Sequence, residues 1–206
     1  MKTLSELAIK YNTDKGKILG GHNYIPVYEK ILANRQVNSM LEIGLGGGGS
    51  IRMWHDYFPD AQIYCMEYGG KEHVEKWKSP IVDIANTTII FGDSTKLDNW
   101  KEIPDSLSLI VDDGSHDPYD QIATFRNGFK KLKSGGLWVI EDVFCGFDEK
   151  YKNPLFYWIY DIQQKIQLPN ISAPGDYYAS CHLLTGDVKD VYSISIYKSL
   201  VIIEKG

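Results

Sequence analysis

The chain has 206 residues, 43% hydrophobic and 24% charged, a length and balance that suit one globular domain with a substantial core. Its formal net charge of −5 at pH 7 and pI near 5.5 argue against a nucleic-acid-binding surface. The opening residues Met1-Lys2-Thr3-Leu4-Ser5-Glu6 hold no apolar signal core, no apolar run approaches the roughly 20 residues of a membrane helix, and Cys65, Cys145 and Cys181 form no CxxC pair. These features predict a cytoplasmic protein with reduced thiols and no membrane partner.

In chain order, helices are expected near Leu4–Tyr11 and Tyr24–Ala33, joined by the polar stretch Asn12–Asn23. From Ser39 onward, short β-type runs alternate with helical ones. Met40–Ile43 is a strand entering a glycine loop, and Ser50–Tyr57 is the helix that follows, stopped by Pro59. Gln62–Met66 is a strand ending at Glu67, Lys71–Lys78 a helix, and Thr87–Phe91 a strand ending at Gly92-Asp93. Leu107–Val111 is a strand, Pro118–Leu132 a long helix capped by Ser134-Gly135-Gly136, and Leu137–Ile140 the next strand. Asn153–Gln167 reads as a helix and Pro169–Tyr178 as a loop. Val191–Ile196 alternates with period two, and Leu200–Ile203 follows about three residues later, the spacing of an antiparallel hairpin. The fold class is therefore α/β. We expect a Rossmann-like, doubly wound, seven-stranded and mainly parallel sheet with right-handed crossovers, N-terminal helices and a C-terminal antiparallel hairpin.

Open sheets of this kind bind ligands at the carboxyl ends of their strands, and ionisable residues gather there. Gly44-Leu45-Gly46-Gly47-Gly48-Gly49 satisfies G-x-G-x-x-G between a strand and a helix. Such glycines let backbone approach a ligand, and the helix N-terminus adds positive potential. Glu67 ends the next strand, where an acid can take both hydroxyls of a ribose. No Gly-Lys-Ser/Thr follows, so the loop is not a phosphate-binding P-loop; it does not by itself separate NAD from S-adenosylmethionine. Asp93-Ser94 either meets an adenine edge or caps the next turn. Asp112-Asp113-Gly114-Ser115-His116 and Glu141-Asp142 put two acidic pairs at neighbouring strand ends. Clustered carboxylates repel unless a cation or proton intervenes, and Mg²⁺ prefers oxygen ligands. A solvated acidic edge is the competing reading. His116 is placed to remove a hydroxyl proton or, alternatively, to cap a helix. His22, His55, His73 and His182 are less informative.

On these residues the chain resembles the class I S-adenosylmethionine-dependent methyltransferases. Leu41-Glu42-Ile43-Gly44-Leu45-Gly46 is similar to the family's first cofactor motif, Glu67 to its ribose acid and Phe91-Gly92-Asp93-Ser94 to its adenine-side motif. A nearer resemblance is to the macrocin- and mycinamicin-type sugar O-methyltransferases and their cephalosporin hydroxylase-like and rhamnosyl methyltransferase relatives. It is carried by Tyr11-Asn12-Thr13-Asp14-Lys15, His22-Asn23-Tyr24, Tyr28-Glu29, Gly49-Ser50-Ile51-Arg52-Met53-Trp54, Tyr57-Phe58-Pro59, the two acidic runs and Ser195–Val201. The polyketide enzymes of that group carry longer N-terminal regions than this chain, which leaves the acceptor open.

The resemblance implies cofactor contacts at Glu42, Gly44, Gly46, Ser50, Glu67, Asp93, Ser94 and Asp112, with Asp112 facing the cofactor side or supporting its loop. It implies Mg²⁺ on Asp113, Glu141 and Asp142, with Glu29 a further acidic contributor, and His116 as the base. Asp113 and His116 are then the catalytic pair. The expected organisation is one methyltransferase domain over residues 1–206, with a helical cap over 1–38 and a cofactor-binding core over 39–206. The expected partner is a small-molecule acceptor, a sugar or glycosylated metabolite, seated between Lys15–Tyr24 and the aromatic stretch Cys145–Tyr160. Self-association into a homo-oligomer is also expected. An NAD-dependent oxidoreductase and a non-catalytic cofactor-binding module are the alternatives; the C-terminal hairpin and paired acids speak against the first.

Overall fold

A computed structural model describes residues 2–16, 22–70, 72, 84–147, 154–166 and 190–206. The expected helix 71–78, except residue 72, and the expected loop 169–178 lie outside these residues, as do His73, Cys181 and His182.

Helix α1 (Leu4–Tyr11) starts with a capping box. Glu6 N–H donates to Thr3 Oγ1, and the Glu6 carboxylate accepts from Thr3 N–H, satisfying two donors that the first turn leaves free. Helix α2 (Ile25–Leu32) follows, with Pro26 in its first turn, where no intrahelical N–H is needed. Next come β1 (Ser39–Ile43), α3 (Gly49–Tyr57), β2 (Gln62–Glu67), β3 (Thr87–Phe91) and β4 (Leu107–Asp112). They are followed by α4 (Pro118–Gly128), β5 (Leu132–Ile140), α5 (Pro154–Ile166), β6 (Val191–Tyr197) and β7 (Leu200–Lys205).

The seven strands form one sheet in the order β3-β2-β1-β4-β5-β7-β6. Pairings among β1 to β5 are parallel, and β7 runs antiparallel to both β5 and β6. The expected α/β architecture, strand count and C-terminal hairpin are all present. The order in which strands are added reverses between β1 and β4, the crevice where doubly wound sheets bind ligands.

Strand alternation divides the core between the two faces of the sheet. Met40, Cys65, Leu109, Val111, Leu137 and Val139 pack with α1, α2 and α3. Leu41, Ile43, Ile110, Trp138 and Ile140 pack with Phe125 of α4 and with Leu155, Trp158 and Ile159 of α5. Among the described residues, neither Cys65 nor Cys145 forms a disulfide.

One boundary differs from expectation. The helix expected over Pro118–Leu132 stops at Gly128, a 3₁₀ turn spans Phe129–Lys131, and β5 already begins at Leu132. Gly128 lies against Trp100 so closely that an added Cβ would stand 2.1 Å from the ring. Ser134-Gly135-Gly136, read as a helix cap, lies inside β5 beside a break in register with β4. Glycine in a strand commonly marks such an irregularity. Among the described residues, no helix is long and apolar enough to cross a membrane.

Candidate active site

The carboxyl ends of β1, β2, β3 and β4 open into a cleft of about 1140 Å³, roomier than most small-molecule pockets. Its lining includes Gly44, Gly46, Ser50, Glu67, Asp93, Ser94, Asp113 and His116. Added Cβ atoms at Gly46 and Gly47 would meet nothing within 4 Å, so this part of the loop has room for a ligand against its backbone. The first turn of α3 opens onto the same space. Glu67 is held at the cleft by Leu45 N–H at 2.8 Å and Gly69 N–H at 2.9 Å. Asp93 serves both readings weighed from sequence. It lines the cleft, and its Oδ1 also accepts from Thr95 N–H at 2.9 Å, closing a local turn.

Two residues expected at the cofactor are not in the cleft lining. Glu42 is fully buried on the α1–α3 face of the sheet. Asp112, one residue before Asp113, points to the opposite face and is buried beside the Gly114 turn. Burial pushes its carboxyl up to about 8. Strand alternation explains both placements: only every second side chain at a strand end faces a given side.

The same alternation brings Glu42, Asp113 and Glu141 together, and Lys15 enters among them. Its Nζ lies 2.5 Å from Asp113 Oδ2, 2.8 Å from Glu141 Oε2 and 3.1 Å from Glu42 Oε1. Burial opposes its charge, but the surrounding carboxylates outweigh it and hold the ammonium well above the usual lysine range. Burial also drives Glu42 and Glu141 up, against the pull of Lys15. One cation does not neutralise three carboxylates, two of them buried. Tyr28 donates to Glu141 Oε1, so both oxygens of Glu141 are engaged.

Asp142 faces a different set. Tyr24 donates to its Oδ1 at 2.5 Å, His22 Nδ1 lies 3.5 Å from Oδ1, and His116 Nε2 lies 3.5 Å from Oδ2. His116 and Asp142 both adopt left-handed backbone, with φ of 57° and 54°. That conformation is uncommon outside glycine and gathers at functional sites. His116 Nδ1 is buried without a hydrogen-bond partner among the described residues.

Asp113, His116 and Asp142 each offer a ligand atom, and these atoms lie within 4.8 Å of one another. Two carboxylates beside an imidazole suit a divalent cation; Mg²⁺ keeps several waters, so two carboxylates suffice to hold it. Glu141 lies outside this group, its two oxygens engaged by Lys15 and Tyr28.

Sequence reasoning assigned no role to Lys15, Tyr24 and Tyr28 individually, although they lie in segments that carried the resemblance. Their hydrogen-bond partners Asp113, Glu141 and Asp142 lie 98 to 126 residues away in sequence, which leaves no local pattern to find. Of the aromatic stretch Cys145–Tyr160, expected to line the acceptor pocket, no described residue lines this cleft, and residues 148–153 lie outside the described residues. Leu155, Trp158 and Ile159 are core, and Tyr157 and Tyr160 are exposed. Glu29 accepts a long, 3.4 Å hydrogen bond from Ser5 N–H and lies outside the cleft lining.

The strand order, reversed final strand and glycine-loop cleft define the fold of the class I S-adenosylmethionine-dependent methyltransferases. Within that class the chain is related to sugar O-methyltransferases. It is 33% identical over 154 residues to mycinamicin VI 2''-O-methyltransferase of Micromonospora griseorubida, covering 70% of this chain and 37% of that protein. It is 29% identical to demethylmacrocin O-methyltransferase of Streptomyces fradiae, covering 98% of this chain and 53% of that one. The MycE methyltransferase of the mycinamycin pathway, solved with Mg, S-adenosylhomocysteine and mycinamycin VI, superposes with a TM-score of 0.77 at 26% identity. That match covers 100% of this chain and 55% of MycE. The chain thus spans between about a third and about half of these relatives. No protein-family model matches it.

Proposed function

We propose that this chain catalyses S-adenosylmethionine-dependent, Mg²⁺-assisted O-methylation of a hydroxyl on a small sugar-bearing or polyhydroxylated acceptor. The observation that carries this reading is the placement of Asp113 and His116 on the wall of the glycine-loop cleft, with Asp142 3.5 Å from the imidazole.

The roles follow from position. Gly44, Gly46 and Ser50 shape the cofactor seat, Glu67 takes the ribose hydroxyls, and Asp93 and Ser94 meet the adenine edge. Glu42 acts from beneath through Lys15, and Asp112 supports the Gly114 turn. Asp113 and Asp142 would hold Mg²⁺, with Glu141 as a third ligand if Lys15 yields it. Bound there, the cation supplies charge that lowers the acceptor hydroxyl pKa. His116 takes the hydroxyl proton on a ring nitrogen, and Asp142 orients the ring and stabilises the imidazolium that forms. Proton removal of this kind contributes about 10²–10⁴-fold to rate. The cleft holds donor and acceptor in line, which removes most of the entropic cost of their meeting.

The relatives act on sugar-bearing small molecules by name, which supports the acceptor class. The acidic pI supports a cytoplasmic protein without a nucleic-acid partner. Exposed Tyr157, Tyr160, Tyr192 and Ile196 support self-association. Calorimetry with S-adenosylhomocysteine and NAD tests the reading: S-adenosylhomocysteine should bind and NAD should not. Binding of NAD alone would overturn it in favour of an oxidoreductase.

A further inference from the structure

Lys15 is 1% exposed and ends among carboxylates from three strand ends. An ammonium has three N–H donors and no acceptor, and here Asp113, Glu141 and Glu42 surround it at 2.5, 2.8 and 3.1 Å. Neither Glu42 oxygen accepts a well-aligned hydrogen bond from any described residue, although both are buried. Three carboxylates converging on one point, Glu42 and Glu141 buried and Asp113 at the cleft wall, are a donor set for a hard divalent cation. In this chain a side chain fills that point.

We propose that the Lys15 ammonium and a divalent metal ion compete for Asp113 and Glu141, so that Lys15 sets the metal affinity of the site. The proposal rests on the metal assignment made above. A divalent ion bonded to Asp113 and Glu141 would share both carboxylates with the ammonium, and like charges on one ligand repel. Full loading of the acids therefore requires Lys15 to give way. Glu42, which has no other cationic partner among the described residues, is the group that retains it. Lys15 is in this sense a positioning residue: it touches the metal ligands and sets whether they are free to bind the ion.

The test uses the full chain and Mn²⁺ alone, without methyl donor or acceptor. Free Mn²⁺ is followed by paramagnetic resonance, and heats by calorimetry. Lys15→Met should bind Mn²⁺ about tenfold tighter or more, because a competing charge is gone. Lys101→Met, at a lysine 76% exposed and outside the cleft lining, should leave the affinity unchanged. A purely structural role for Lys15 predicts the opposite sign, since loosening the acids weakens binding. Equal or weaker Mn²⁺ affinity in folded Lys15→Met overturns the proposal. If Lys15→Met does not melt cooperatively in chelator, refolding yield is compared with and without Mn²⁺. Rescue by the ion supports exchange, and no rescue overturns it. If neither protein binds Mn²⁺, the metal assignment fails together with the exchange, while S-adenosylhomocysteine binding still judges the methyltransferase reading. If both bind alike, the exchange alone fails.

Discussion

Gly44 and Asp113 interlock: a Cβ on Gly44 would stand 2.1 Å from the Asp113 carbonyl oxygen. The first glycine of the loop is thus required by the neighbouring strand end rather than by a ligand. Its φ of 92° adds a second reason, because L side chains rarely adopt it. Cofactor loop and acidic strand end are one packed unit, so the cofactor seat and the proposed base and metal ligands keep a fixed spacing.

Gly44→Ala should therefore cost about 2–5 kcal/mol, combining overpacking and backbone strain. It should also abolish S-adenosylhomocysteine binding. Gly46→Ala meets nothing within 4 Å and carries only the left-handed penalty of about 1–2 kcal/mol. Its main effect should be on ligand affinity, since Gly46 lines the cleft. Urea unfolding and calorimetry on the two variants separate these outcomes; equal unfolding costs would refute the distinction.

His116→Ala should bind S-adenosylhomocysteine as the unchanged protein does and lose about 10²–10⁴-fold in turnover. Turnover is read by S-adenosylhomocysteine release once an acceptor is in hand. Unchanged turnover would remove His116 as the base. The His116 side chain is 33% exposed, so truncation should not cost much stability.

Much of this arrangement was legible in the sequence, because strand runs, glycine punctuation and strand-end acids are local signals. The period-two run Val191–Ile196 gave the hairpin, and the acid pairs gave the cluster edge. What escaped was side-chain direction and distant approach. Asp112 and Asp113 look equivalent as letters, yet pleating sends one beneath the Gly114 turn and the other to the cleft wall. Lys15 reads only as one end of the expected acceptor wall, whereas the fold delivers it to carboxylates 98 and 126 residues away. In the run before Tyr160, period 3.6 marks a buried face without saying what buries it.

The burial of that face has its own test. Trp158 packs edge-on to Phe125, with ring centroids 4.8 Å apart, and is 7% exposed. Trp158→Ala should cost about 3–5 kcal/mol and leave S-adenosylhomocysteine affinity unchanged. Tyr157, one residue earlier and 73% exposed, should tolerate Ala within about 0.5 kcal/mol. A large loss of ligand affinity in Trp158→Ala, with stability retained, would return this segment to the pocket wall.

Asp56 gives a pH dependence whose sign can be fixed. Hydrogen bonds from Lys10, at 2.7 Å, and Tyr11, at 2.6 Å, hold its carboxyl down to about 2. Its ordinary value is 3.8, so the unfolded chain binds this proton first as pH falls. The interaction therefore contributes its full stability above about pH 4 and loses it as pH drops through 2. Asp56→Asn should be less stable than the unchanged protein at pH 7, and the gap should close between pH 4 and pH 2. Urea unfolding across that range measures it; a gap that stays constant would assign the effect to packing instead. The contact also reaches the site. Asp56 belongs to α3, behind the glycine loop, and Tyr11 leads directly into Asn12, Thr13 and Asp14 on the cleft wall. Weakening this clasp should therefore loosen the wall, and S-adenosylhomocysteine affinity should fall in Asp56→Asn while Gly44 and Asp113 keep their packing.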